Sequence, residues 1–296
     1  MKLSQAINGY LLFKAARAAN TTIQTDRVLL KQFKTWLDHD PDVTAIDTET
    51  IRAYLQHQKT RGLAPHTRRR IHATLSGLYT WLTSDDIALV ETNPVKAVPP
   101  PKLPQRVVKT LTHEQINQLL KAADRARTPR RAKALILFHL DTAARASEIA
   151  TVQLANTDLK SGRVKVKGKR NKERFVYLGK RAISALWLYI SDERPDPARA
   201  SDDHLFLTFD GYPMNRHSVR RVVYRLAAWA GIKASPHLFR HTSAIEHLRH
   251  GMDAFSLQKL LGHETLEITR GYLSALADED VEVQARRTSP ADNWRL

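Results

Sequence analysis

Pro236-His237-Leu238-Phe239-Arg240-His241-Thr242 reads as the opening of a helix, because proline suits the first turn and helical spacing continues from it to His250. Intervals of three and four residues bring His237, Arg240 and His241 to one face. Leu238, Phe239 and Ala244 lie around Arg240, which implies a partly buried guanidinium that needs an anion. Two histidines four apart also suggest zinc. A metalloprotease helix, however, carries glutamate directly after its first histidine, and here that place is Leu238. No metal site and no cofactor are expected.

Downstream, Phe255 to Leu261 keeps helical spacing and is closed by Gly262. His263 follows at once, and Thr269-Arg270-Gly271-Tyr272 falls within one more helix. Taken singly, His263 reads as a capping residue and Tyr272 as a packing residue. Upstream, Ser218 to Ala230 and Ile183 to Tyr189 are helical. Val164 and Val166 alternate with Lys165 and Lys167, a Gly168-Lys169-Arg170-Asn171 turn follows, and Phe175 to Leu178 resumes as a strand. That pattern predicts a β-hairpin whose tip is dense in positive charge. Ala132 to Leu140 is a strongly apolar helix. Before it, Thr112 caps a helix start with Gln115 at the third position.

Asn93 to Lys109 breaks this order. Asn93-Pro94, Pro99-Pro100-Pro101 and Pro104 cannot continue a helix, and the stretch reads as an extended linker. Ahead of it lie four helices. Ile7, Leu11, Leu12 and Ala15 form one apolar stripe; Val28, Leu29, Phe33, Trp36 and Leu37 form another. A third helix spans Ile51 to Gln58 behind Asp47-Thr48-Glu49. The fourth runs from Pro65 through Ile71, Leu75, Leu78 and Leu82 to a stop at Ser84-Asp85. The expected organisation is a helical bundle over 1–92, a proline-rich linker over 93–109 and a second domain over 110–296. The fold class is mainly α with a small antiparallel sheet.

The 296 residues carry 47 Lys and Arg against 30 Asp and Glu, a net charge of +17. The surplus is spread along the chain, with concentrations at Arg68-Arg69-Arg70, Lys165 to Arg174 and Arg220-Arg221, so a folded basic surface for a polyanion is implied. Arg68, Arg69 and Arg70, at a helix start, and Lys169 and Arg170, at the hairpin tip, are the candidate DNA contacts. The chain has no cysteine, which excludes disulfides and thiolate metal sites. Met1-Lys2-Leu3-Ser4 lacks the apolar core of a signal peptide, and no apolar run would span a bilayer, so a cytoplasmic protein without membrane contact is expected.

The motifs taken together carry a resemblance. Thr142-Ala143-Ala144-Arg145-Ala146-Ser147-Glu148-Ile149, the basic hairpin, Pro236 to Thr242, Leu260-Leu261-Gly262-His263 and Tyr272 follow one another as in tyrosine recombinases. Spacings of 23 residues from Arg240 to His263 and nine from His263 to Tyr272 are ordinary for that family. The chain resembles simple, Xer-like tyrosine recombinases of the phage integrase group over its whole length. It departs in one place: the family's glycine and bulky apolar residue before the first arginine are Ala143 and Ala144 here.

The resemblance implies a core-binding bundle before the prolines and a mixed α/β catalytic domain after them. It also implies site-specific strand exchange through a 3′-phosphotyrosine and a Holliday junction, without metal or ATP. Tyr272 would be the nucleophile and Arg145 and Arg240 the phosphate clamp. His237 would be a base or phosphate ligand, and His263 a second phosphate donor. Lys172 would protonate the 5′ leaving oxygen, with Lys169 as its rival. The implied partners are double-stranded DNA and further copies of the chain: a dimer on each site and a tetramer holding two, joined through Ser274 to Leu296, with a partner recombinase in some relatives. Strand resealing of the type IB topoisomerase kind and a non-catalytic accessory role are the alternatives. The target site, and whether it serves a mobile element or a chromosome, stay open.

Overall fold

The computed structural model describes residues 1–104, 108–168, 172–273, 276 and 278–293. It divides into two compact units, Met1–Arg106 and Val107–Leu296.

In the first unit, α1 (Leu3–Ala15), α2 (Asn20–Leu37), α3 (Thr48–Thr60) and α4 (Pro65–Leu82) enclose one core. Their boundaries follow local chemistry. The Asp47 carboxylate accepts from the Thr50 amide at 2.8 Å to start α3, and Pro65 opens α4. Leu3, Ile7, Tyr10 and Leu11 of α1 meet Leu30 and Phe33 of α2, Ile51 and Tyr54 of α3, and Ile71, Leu75 and Leu78 of α4. Gly77 lets α1 approach α4, since a Cβ there would lie 2.5 Å from Tyr10 Oη.

Three residues assigned to the apolar stripes face solvent instead: Leu12 is 75% and Val28 53% exposed, and Ala15 is exposed too. The buried face of α2 runs through Ile23, Asp26, Leu30 and Phe33, so its central position is a carboxylate. Asp26 is fully buried and pairs with Lys14 of α1 and Arg70 of α4, while Thr74 Oγ1 donates to it at 3.0 Å. One acid thus ties three helices together. Its cations are partly exposed, so breaking the network leaves no fully buried charge. We expect Asp26→Ala to cost about 2 kcal/mol, below the usual loss for a buried pair, read from urea unfolding.

The proline-rich stretch begins inside this unit. Asn93 Nδ2 donates to Ser76 O and Thr80 Oγ1 of α4, both at 3.0 Å, and Val95 and Val98 are buried in the core. Val95 and Val98, between Pro94 and Pro99, give residues 93–98 something to bury, so this part of the stretch packs on the first unit.

The second unit contains α5 (His113–Ala123), α6 (Pro129–Thr142), α7 (Ala146–Ala150), the strands β1 (Thr157–Asp158), β2 (Arg163–Lys167) and β3 (Glu173–Tyr177), then α8 (Lys180–Asp192), α9 (Arg216–Trp229), α10 (Pro236–Arg249), α11 (Ala254–Leu261), α12 (Leu266–Leu273), α13 (Asp278–Arg287) and the short α14 (Pro290–Asn293). Thr112 and Gln115 cap α5 reciprocally. The antiparallel sheet has the order β1-β2-β3, with Val164 opposite Val176 and Val166 opposite Arg174. Its valines pack with Leu135, Phe138, Leu186, Phe206, Ile245 and Leu261 into the main core. The mainly α fold with a small sheet is therefore as expected, with β1, α7, α13 and α14 added.

Candidate active site

Three turns converge at one end of this core. At the first, α6 ends on Ala143 in the left-handed conformation (φ 50°), and Arg145 starts α7. The Arg145 amide and guanidinium both donate to Glu148, each at 2.8 Å. Glu148 is 2% exposed and takes a second, two-pronged guanidinium from Arg174 of β3 at 2.9 and 2.8 Å. Burial pushes the Glu148 carboxyl up, but the bonds and charges of Arg174 and Arg145 prevail and hold it below the usual carboxylate range. It therefore stays ionised and fixes both arginines.

At the second turn, α10 carries Arg240, which is 3% exposed. Its guanidinium donates to Ala143 O and Leu261 O, both at 2.7 Å, and to His263 Nε2 at 3.0 Å. Burial, then the Arg145 charge, pulls it down to about 10, so it stays charged at neutral pH. At the third turn, Gly262 takes the left-handed cap of α11, with the Arg174 side chain against it, and sets His263 beside Arg240. A guanidinium only donates, so His263 Nε2 accepts and its hydrogen lies on Nδ1, 3.0 Å from Thr269 Oγ1. Burial first, then Arg240, Arg145 and Arg174, lowers His263 to about 4.

Arg145 lines two cavities. One, of about 330 Å³, also takes Lys172, Arg174 and His263; the other, of about 250 Å³, takes His237 and Arg240. Lys172 is exposed, with Nζ 3.7 Å from Glu264. Tyr272 of α12 lies beside them, 5% exposed. Its hydroxyl is 2.9 Å from His241 Nδ1, and its ring lies parallel to His263 at 6.2 Å. All six residues expected to do chemistry thus gather around two small basic cavities.

The expected DNA contacts are less uniform. Lys169 and Arg170 lie outside the described residues. Arg68, Arg69 and Arg70 stand on α4 of the first unit. Arg68 Nε donates to Leu63 O at 3.1 Å and Arg70 is held by Asp26, whereas Arg69 is exposed beside a groove with Tyr10, Phe13 and Trp81.

Sequence reading gives no role to three residues of the site. Glu148 sits one turn after Arg145 with no mark of its burial. Arg174 shares a strand face with the buried Val176, so the alternation that places the valine also turns the arginine inward. His241 meets Tyr272 across 31 residues, a contact no local pattern reveals. Among the described residues no three His, Asp or Glu side chains group as metal ligands, and no helix is long and apolar enough to cross a membrane.

Behind the site, His139 is fully buried, stacks on Phe239 at 5.6 Å, and has neither ring nitrogen bonded among the described residues. Burial, then Arg240, pushes it down to about 3. Its folded value lies below its unfolded one, near 6.5. Below that pH the unfolded chain takes up a proton that the folded chain refuses, so stability is complete above about 6.5 and is lost as pH falls toward about 3. We expect His139→Leu to flatten the acid side of a melting-temperature profile between about pH 6 and 4, and to stabilise the protein at pH 7 by about 1–3 kcal/mol by removing two unbonded nitrogens.

Residues 109–279 match the model of the phage integrase family, and residues 7–86 match that of the phage integrase N-terminal SAM-like domain. The chain belongs to the phage integrase family. This integrase-family chain is 32% identical over 244 residues to the tyrosine recombinase XerC of Pelotomaculum thermopropionicum, covering 79% of each protein. It is 32% identical over 283 residues to the tyrosine recombinase XerD of Xanthomonas campestris pv. campestris, covering 90% of this chain and 87% of that one. Among solved structures it is similar to the Tn1549 transposon integrase in complex with a circular intermediate DNA, with a TM-score of 0.78 at 16% identity over 98% of this chain and 100% of that one. It is also similar to a lambda integrase dimer bound to a core site, with a TM-score of 0.77 at 18% identity over 93% and 96%. At such identities the structures establish the shared fold. The resemblance drawn from the motifs and the expected fold class are both borne out.

Proposed function

We propose that this protein is a site-specific DNA recombinase that cuts with Tyr272 and rejoins the broken end to a different strand. The observation that carries this reading is the convergence of Arg145, Arg240, His263, Lys172 and His237 on two cavities with Tyr272 alongside. The forks of Arg145 and Arg240 match the non-bridging oxygens of a phosphodiester and stabilise charge as the pentacoordinate state forms. Lys172, on the arm of the hairpin, gives a proton to the departing 5′ oxygen. The new bond keeps the energy of the phosphodiester, so a 5′-hydroxyl from a second duplex reverses the step and strands exchange through a Holliday junction.

The helical first unit holds one face of the duplex, with Arg69 the freest of its three candidate contacts. The working assembly is a tetramer on two sites, with the segment from 274 onward reaching a neighbouring subunit, and a mobile element is a natural setting for it. The test is incubation with supercoiled DNA carrying the flanks of its own gene, in EDTA, followed by denaturing gels and mapping of the attached peptide. We expect a covalent adduct on Tyr272. Attachment elsewhere, or loss of the adduct in EDTA, would overturn the mechanism; resealing without exchange between two sites would move the reading to a topoisomerase.

A further inference from the structure

We infer that His241, the residue directly after Arg240, takes the phenolic proton of Tyr272 during cleavage. This rests on the reading of Tyr272 as nucleophile. His241 Nδ1 is 2.9 Å from Tyr272 Oη, within the reach required of a general base, and the hydroxyl it meets belongs to a side chain only 5% exposed. Accepting that proton puts the hydrogen of the neutral imidazole on Nε2.

The two other histidines of the site are committed differently. His263 spends its Nε2 lone pair on Arg240 and points Nδ1 at Thr269; its ring lies parallel to that of Tyr272 with centroids 6.2 Å apart. His237 lines the cavity with Arg145 and Arg240, where a phosphate oxygen would sit, and touches His241 edge-on with ring centroids 4.2 Å apart. Among the described contacts, the titratable and charged groups that face His241 include His237 and Arg240 on its own helix and Tyr272 on α12, with His263 across the tyrosine ring. Because Arg240 is anchored to the carbonyls of Ala143 and Leu261, α10 sets phosphate clamp and base in fixed register.

The step balances. Tyr272 Oη bonds to phosphorus while its proton passes to His241 Nδ1. The bond from phosphorus to the 5′ oxygen breaks, and that oxygen leaves with the proton from Lys172. Rejoining runs each transfer backwards, with imidazolium returning the proton to the departing phenol.

The experiment compares wild type and His241→Gln, each with tyrosine or a fluorinated, more acidic tyrosine at position 272, on a plasmid carrying the flanks of its own gene. Glutamine bonds a hydroxyl but cannot carry its proton away. We expect His241→Gln to bind DNA as wild type does and to form adduct about 10²- to 10³-fold more slowly. The fluorinated phenol should recover at least about tenfold of that loss and change wild type little, since a more acidic nucleophile needs less help from a base. A Gln variant within about threefold of wild type overturns the proposal, and so does an equal deficit with both tyrosines, which would make His241 a positioning group. Should Gln disturb the fold by circular dichroism, His241→Asn takes its place. Absence of any adduct from wild type would instead remove the reading of Tyr272 itself, and this proposal with it.

Discussion

Arg240→Lys is expected to slow adduct formation by about 10²- to 10³-fold while leaving most of the DNA affinity. Lysine keeps the charge but not the fork. In the native site the guanidinium reaches Ala143 O, Leu261 O and His263 Nε2 at once, and an ammonium on a flexible stem cannot serve two carbonyls and a phosphate together. The carbonyl left without a donor also costs about 1–3 kcal/mol, so the variant should melt earlier. Arg240→Met separates the two effects. It relieves the burial of a charge, yet both carbonyls then lose their donor, and we expect stability still to fall rather than rise as it does when whole buried ion pairs are replaced. Single-turnover cleavage and thermal melts on the same preparations check both parts.

Glu148→Ala should be the most destabilising of the substitutions considered, by about 3–5 kcal/mol. Three features set the magnitude. The carboxylate is 2% exposed and carries four bonds from two residues. The Arg174 side chain is itself only 14% exposed, so losing Glu148 strands a mostly buried charge. Arg174 also ties β3 to Leu260 O at 2.8 Å, next to the turn that presents His263. Glu148→Gln, which keeps the shape and the acceptor oxygen, should retain part of the stability but leave Arg145 poorly held, so its cleavage rate should fall further than its melting temperature suggests. Denaturant unfolding with single-turnover rates reads this out, and an alanine variant as stable as wild type would refute the clamp.

Much of this architecture is legible in the sequence. Thr112, Pro65 and Gly262 mark helix ends through backbone chemistry that acts locally, and the 164–166 alternation marks the sheet. The six residues drawn from motif order do meet in space. What escaped is what depends on distant neighbours. Asp26 looks like any surface acid until α1 and α4 supply its cations. Leu12, Ala15 and Val28 look like core by residue type, whereas the packed face is chosen by the partner helices. The two-residue β1 is too short to leave a period, and its strand character comes from pairing with β2. His241 stood in view on the helix face already singled out, but its meeting with Tyr272 is made by the turn after Gly262, which brings α12 back across α10.

The Glu148 clamp also sets the arithmetic of charge. Two guanidiniums, on Arg145 and Arg174, share one buried carboxylate, a third on Arg240 is held by backbone carbonyls, His263 is held neutral and Lys172 faces Glu264. Before the phenolic proton moves, these arginines therefore exceed the carboxylate by two positive charges. A resting phosphodiester carries one negative charge, and the pentacoordinate state formed by an incoming phenolate carries two. On the proposed reading, a site balanced to the second value rather than the first would hold the fleeting species more tightly than the substrate, which is the condition for accelerating a reaction rather than merely binding its reactant. Had Glu148 been absent from the fold, the same arginines would have over-neutralised both states and favoured tight, unproductive capture of DNA.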